Sequence, residues 1–255
     1  MLTRLIALLC LVVLTGQCLS AQKPQPHERT CTMGTAISYL RADGKPTNGY
    51  LAKPGRDHAP GVIVIQEWWG LQDQIRGICD RLARAGYEAL APDLYGGVNV
   101  AYHDREAANA AMSSLDFLDA TDNIVRGAAQ YLARSGAKVG LTGFCLGGAV
   151  TVLGAVRVAE ISAACCFYGM PPREVARARD VKVPFQGHFS KHDDWCTPEF
   201  VAGFTEGLKA GGVMHDIYIY DAAHAFMNEQ RSVHDRAAAE LAWGRMLEFW
   251  KRHIG

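Results

Sequence analysis

The sequence predicts an α/β fold, a mainly parallel central sheet with helices on both faces, and three observations predict it. The strand-like segments are apolar throughout instead of alternating, as strands covered on both sides are. They alternate along the chain with helix-like segments, the rhythm of parallel strands joined by crossovers. Near the middle, Gly143-Phe144-Cys145-Leu146-Gly147 joins a strand-like run to a helix-like run through a reversal that only small flanking residues permit.

Taken in order, Thr35 to Arg41 and Gly49 to Lys53 read as an opening pair of strands around the turn Asp43-Gly44-Lys45-Pro46. Strand Val62 to Ile65, helix Asp73 to Ala85 and strand Ala89 to Ala91 follow, then helices within Arg105 to Arg134. Strand Lys138 to Thr142 runs into helix Leu146 to Ala159, followed by strands Ala163 to Tyr168 and Val183 to Phe189. Thr197 is placed to cap a helix from Pro198 to Ala210, with proline at its first turn. Strand Asp216 to Tyr220 and a helix from about Val233 to Lys251 complete the pattern, and in that helix Ala237, Leu241, Met246 and Trp250 are expected to face the sheet.

Ligand sites of such folds gather at the carboxyl ends of the strands. Cys145 stands at one such end and at a helix N-terminus, where unpaired amides and the dipole favour thiolate over thiol. By itself the glycine-framed cysteine is equally a packed thiol in a tight turn. Partners in the right chain order change that reading, because on this architecture a nucleophile is followed by an acid and then a histidine. Asp194 lies on the polar loop after the strand ending at Phe189, with Asp193 its nearest competitor, and His224 leaves the last strand. Cys145 would attack an acyl carbon, His224 would move the proton and Asp194 would orient the imidazole. The amides of Leu146 and Trp68 are the candidate oxyanion donors.

Together Gln66-Glu67-Trp68-Trp69-Gly70, Ala91-Pro92-Asp93-Leu94-Tyr95, Gly143-Phe144-Cys145-Leu146-Gly147-Gly148, Asp194 four residues before Pro198, and Ala223-His224-Ala225-Phe226 resemble the dienelactone hydrolase family. The resemblance runs from about Met33 to the C-terminus. It implies an α/β-hydrolase fold, a Cys145-Asp194-His224 triad, and opening of lactones or other esters without metal or organic cofactor. It also gives Glu67 a role, pairing with the resting thiol and swinging away when substrate arrives. Members that cleave dienelactone hold the substrate carboxylate with arginines, one of them four residues after the catalytic histidine, where this chain has Asn228. Trp69, Arg105 and Asn228 are therefore the candidate substrate-binding residues. A second hypothesis from another class is an idle member that binds a small ligand in the same cleft or uses Cys145 as a redox sensor.

The chain of 255 residues carries 26 lysines and arginines against 26 aspartates and glutamates, with no basic cluster interleaved with aromatics. Nucleic acid is excluded as an expected partner; the expected partner is a small ester or lactone, and the expected state a monomer. His188, His192 and Asp193 lack a second cluster with ligand spacing, so no metal is expected. Arg4, the apolar run Leu5 to Leu14, and small residues up to Ala21 read as a secretory leader over residues 1–21, too short to span a bilayer. The expectation is a periplasmic or secreted enzyme formed by one domain, 22–255; a translation start at Met33 would instead make it cytoplasmic. Export exposes a catalytic thiol to oxidation, and Cys196, close to Asp194 in sequence, is the neighbour to examine, while Cys165 and Cys166 read as packed thiols.

Overall fold

The computed structural model describes residues 34–255; the expected leader, Cys31 and Met33 lie outside the described residues. Eight strands form one sheet: β1 (Thr35–Leu40), β2 (Pro46–Ala52), β3 (Gly61–Ile65), β4 (Glu88–Pro92), β5 (Val139–Phe144), β6 (Ile161–Phe167), β7 (Phe185–His192) and β8 (His215–Ala223). Their spatial order is β1-β2-β4-β3-β5-β6-β7-β8. β1 and β2 pair antiparallel, as do β2 and β4, and every later pairing is parallel. β3 and β5 are buried along their whole length, which is why they read as unbroken apolar runs.

Helices α1 (Asp73–Arg84), α2 (Arg105–Ser114), α3 (Phe117–Asp119), α4 (Arg126–Ala133), α5 (Leu146–Arg157), α6 (Pro198–Ala210) and α7 (Arg236–His253) supply the connections and the closing helix. A π-helical turn, Ala120–Val125, joins α3 to α4. The predicted cap is present, since Thr197 Oγ1 accepts from the Phe200 amide with Pro198 opening α6. Asp104 and Asp235 cap α2 and α7 in the same way.

The core lies on both faces of the sheet. α1 and α7 cover one face, where Ile75, Leu82, Met246 and Trp250 join one cluster with Val62 and Val64. The π turn, α4 and the start of α5 meet the other, where Val125, Leu132 and Val150 pack with Ile63 and Leu141. The face of α7 matches expectation at Met246 and Trp250 and differs at the other two positions. Ala237 and Leu241 are exposed, and Ala239, Ala242, Met246, Phe249 and Trp250 are buried. Ala239, Ala242, Met246 and Phe249 follow at steps of three and four, with Trp250 four past Met246, so they share one stripe, whereas the expected set contains a step of five that drifts off it.

Candidate active site

Three candidate residues each stand one position beyond a strand. Cys145 follows β5, His224 follows β8, and an aspartate follows β7. That aspartate is Asp193, not the expected Asp194. β7 and β8 are parallel, and their last register pair is His192 with Ala223, beyond an irregularity between Ser190 and His192. The next residues on each strand, Asp193 and His224, are therefore brought opposite one another, and Asp193 Oδ2 lies 2.8 Å from His224 Nδ1. Asp194 is exposed on the cavity rim.

Asp193 is buried and fully engaged. Oδ2 also accepts from Ser190 Oγ at 3.0 Å, and Oδ1 accepts from the amides of Trp195 at 2.8 Å and Cys196 at 2.9 Å. Burial alone would raise its pKa, but the bond to His224, the imidazolium charge and the two amides together hold it below the ordinary carboxylate range. On the imidazole, burial disfavours the charged ring. The nearby Cys145, and the hydrogen bond to and charge of Asp193, outweigh it and carry the His224 pKa up to about 10. Imidazole and carboxylate thus form a hydrogen-bonded pair on the same cavity wall as Cys145.

The backbone at this end of the sheet is held in uncommon conformations. Cys145 has φ 56°, Tyr168 φ 35° and Ala225 φ 65°, and all three border the cavity. The reversal at Cys145 requires close backbone packing: a Cβ on Gly147 would lie 2.5 Å from the Ile65 carbonyl oxygen, and one on Gly143 would collide with the Gly147 carbonyl. Leu146 is the first residue of α5, where amides have no intrahelical acceptor, and it borders the cavity together with Trp68.

The model for the dienelactone hydrolase family matches residues 47–254. This chain belongs to the dienelactone hydrolase family. It is 33% identical over 235 residues to protein usf of Aquifex pyrophilus, a match covering 87% of this chain and all (100%) of the relative. It is 32% identical over 241 residues to a protein of Escherichia coli K12 named "Putative carboxymethylenebutenolidase", covering 85% of this chain and 86% of that one. The solved structure of a "Putative Dienelactone Hydrolase" from Klebsiella pneumoniae superposes with a TM-score of 0.76 at 28% identity, covering 86% of this chain and 99% of that chain. The dienelactone hydrolase-like promiscuous phosphotriesterase P91 from metagenomic libraries gives a TM-score of 0.75 at 23% identity, over 88% of this chain and 100% of that one, a likeness of fold. The fold is that of the α/β-hydrolases, and the family is one of carboxylic ester hydrolases.

Glu67, which the family resemblance pairs with the thiol, borders the same cavity, yet its oxygens are taken by other groups. Tyr168 Oη donates to Oε1 at 3.2 Å and Asn228 Nδ2 donates to Oε2 at 2.8 Å. Burial raises the pKa of this carboxyl, against the opposing effects of Asn228, the charges of His224 and Arg231, and Tyr168. Asn228 was expected to meet substrate. It is instead fully buried behind Glu67 and absent from the cavity wall, because the chain after Ala225 turns back, with the Asn228 amide donating to Ala225 O and the Arg231 amide to Asn228 O.

That turn brings Arg231 to the cavity, with its Cζ 5.6 Å from the Trp69 ring centre. Sequence reasoning missed Arg231 because it looked four residues past His224; the usable signal was a lone cation on the same short loop. Arg105 does reach the cavity, 5.9 Å from the Trp68 ring centre, and Trp69 forms part of the wall. Trp195, exposed at the rim, meets Trp68 edge-on at 5.8 Å. Cys196 is buried along the same cavity, and Cys165 and Cys166 are packed in β6. His188 is buried between Gln186 Oε1 at 2.9 Å and Tyr220 Oη at 2.7 Å, and burial presses its pKa down to about 3. This network sits away from the cavity wall.

Proposed function

We propose that the chain hydrolyses a small carboxylic ester or lactone through a thioacyl-enzyme, with Cys145 as nucleophile, His224 as general acid and base, and Asp193 as the orienting carboxylate. The observation that carries this reading is the 2.8 Å hydrogen bond between His224 and Asp193 on the wall of an open cavity that Cys145 also lines. The thiolate attacks the carbonyl carbon, and the oxyanion that forms is received by the amides of Leu146 and Trp68. Collapse expels the alkoxide, which takes a proton from His224. His224 then removes a proton from water as that water attacks the thioester, and the acid leaves as the thiol is restored. Arg105 and Arg231 provide guanidinium groups to an acidic substituent, with Trp69 as part of the wall. Glu67, held off the thiol by Tyr168 and Asn228, leaves Cys145 free for attack.

A panel of aryl esters, lactones and thioesters tested on wild type and Cys145→Ala decides the matter. The expected result is turnover and a transient acyl adduct on Cys145, read by intact mass, with both lost in the variant. Unchanged turnover in Cys145→Ala would refute the nucleophile. The leader reading belongs to the same proposal: a mature N-terminus near Ala21 in exported protein supports it, and one at Met33 refutes it.

A further inference from the structure

The cavity has a volume of about 860 Å³, far more than a single lactone ring fills, and its two ends differ in chemistry. One end holds Arg105, Arg231 and Glu67. The other follows α5 away from Cys145. Leu146, Ala149 and Leu153 lie along one face of that helix at steps of three and four, and all three line the cavity. At 1.5 Å per residue, this floor runs ~10 Å from the nucleophile. Met112, Leu115 and Phe117, at the elbow between α2 and α3, form one side; they are half-buried and pack against the same core as Leu146. Met170 and Val175 form the other side, with Val175 44% exposed. The side chains named on the two sides are all apolar. Along α2, Arg105 opens the helix and Met112 lies seven residues on, ~10 Å away, and both line the cavity.

We propose that this groove is a subsite for the hydrophobic part of the ester, so that substrates include carboxylic esters carrying an alkyl chain of about six to eight carbons or an aryl group. The proposal rests on the ester-hydrolase reading, which sets the carbonyl at Cys145. Apolar surface that is half-covered in the free protein gains from being covered by hydrocarbon, and the groove is continuous with the thiol, so the group it receives is attached to the reacting carbonyl.

Two measurements test it. With p-nitrophenyl esters of two, four, six and eight carbons, kcat/KM should rise by roughly twofold per added methylene, about half the free-energy gain of complete burial. Val175→Asp, an exposed position, and Ala149→Phe, which fills the floor, should each flatten that series, with the fold checked by thermal melting. The second measurement needs no turnover: straight-chain carboxylates of the same lengths are titrated against wild type with tryptophan fluorescence as readout, and Kd should fall along the series. A flat or declining ester series with normal turnover overturns the groove and leaves the hydrolase reading standing. No turnover of any ester overturns the hydrolase reading, and the titration then decides the groove by itself, a flat Kd series refuting it.

Discussion

Two buried carboxylates lie near the same imidazole, and their environments push them in opposite directions. Asp193 receives four donors, two of them backbone amides fixed by the turn after β7, and sits against the His224 ring; its pKa falls. Glu67 receives two neutral side-chain donors and is enclosed by Tyr168 and Asn228; its pKa rises. Burial penalises both anions, and the hydrogen bond and charge of the His224 ring, together with the two amides, let Asp193 stay charged. A permanently ionised group can stabilise an imidazolium. A group pushed toward neutrality makes a weak competitor for it, which separates the two roles.

The largest break of this contrast is Asp193→Asn, which should lower kcat by about 10³–10⁴-fold on any ester the enzyme turns over, while Asp194→Asn stays within about twofold. Equal losses in the two variants would return the orienting role to Asp194. Next comes pH. If an imidazolium–thiolate pair is the working form, activity should fall as pH rises through about 10, where the folded His224 ring loses its proton. A decline centred near the ordinary histidine value of 6.5 would count against that pair.

The contrast also has a stability signature. Asp193, with its pKa lowered on folding, contributes stability above 3.8 that is lost as pH falls through its folded value. Glu67, with its pKa raised, favours the fold most below 4.5, and that contribution is lost as pH rises through its folded value. Urea melts should therefore show Asp193→Asn destabilised by about 1–3 kcal/mol at neutral pH, with the gap narrowing in acid. Glu67→Gln should cost less at neutral pH. The smallest effect is at Asn228→Leu, which removes one of the two donors to Glu67; infrared carboxyl absorption should persist to higher pH than in wild type, and an unshifted band would show that Asn228 does not hold the charge.

Much of the fold was legible because its signals are local. Apolar strands, the cap at Thr197 and the glycine frame of Cys145 depend on residues within a few positions of one another. Cys145 and His224 were readable for the same reason, each being tied to the end of an element. The acid was not, since Asp193 and Asp194 are adjacent and equally polar in sequence, and only the pairing of His192 with Ala223 shows which one meets the ring. Arg231 and the buried position of Asn228 depend on how one loop folds back, and the stripe on α7 on where that helix lies against the sheet.

By itself the sequence determined the alternation of buried strands and amphipathic helices, the sharp turn that presents a thiol, and the chain order of the reacting groups, because hydrophobic period and backbone sterics act over short range. Tertiary structure decided which aspartate is the partner, which arginine joins Arg105 at the cleft, and that one end of the cleft is apolar. Those outcomes follow from strand register and from the meeting of α2, α5 and the loop holding Met170, contacts between segments far apart in the chain that no local pattern encodes.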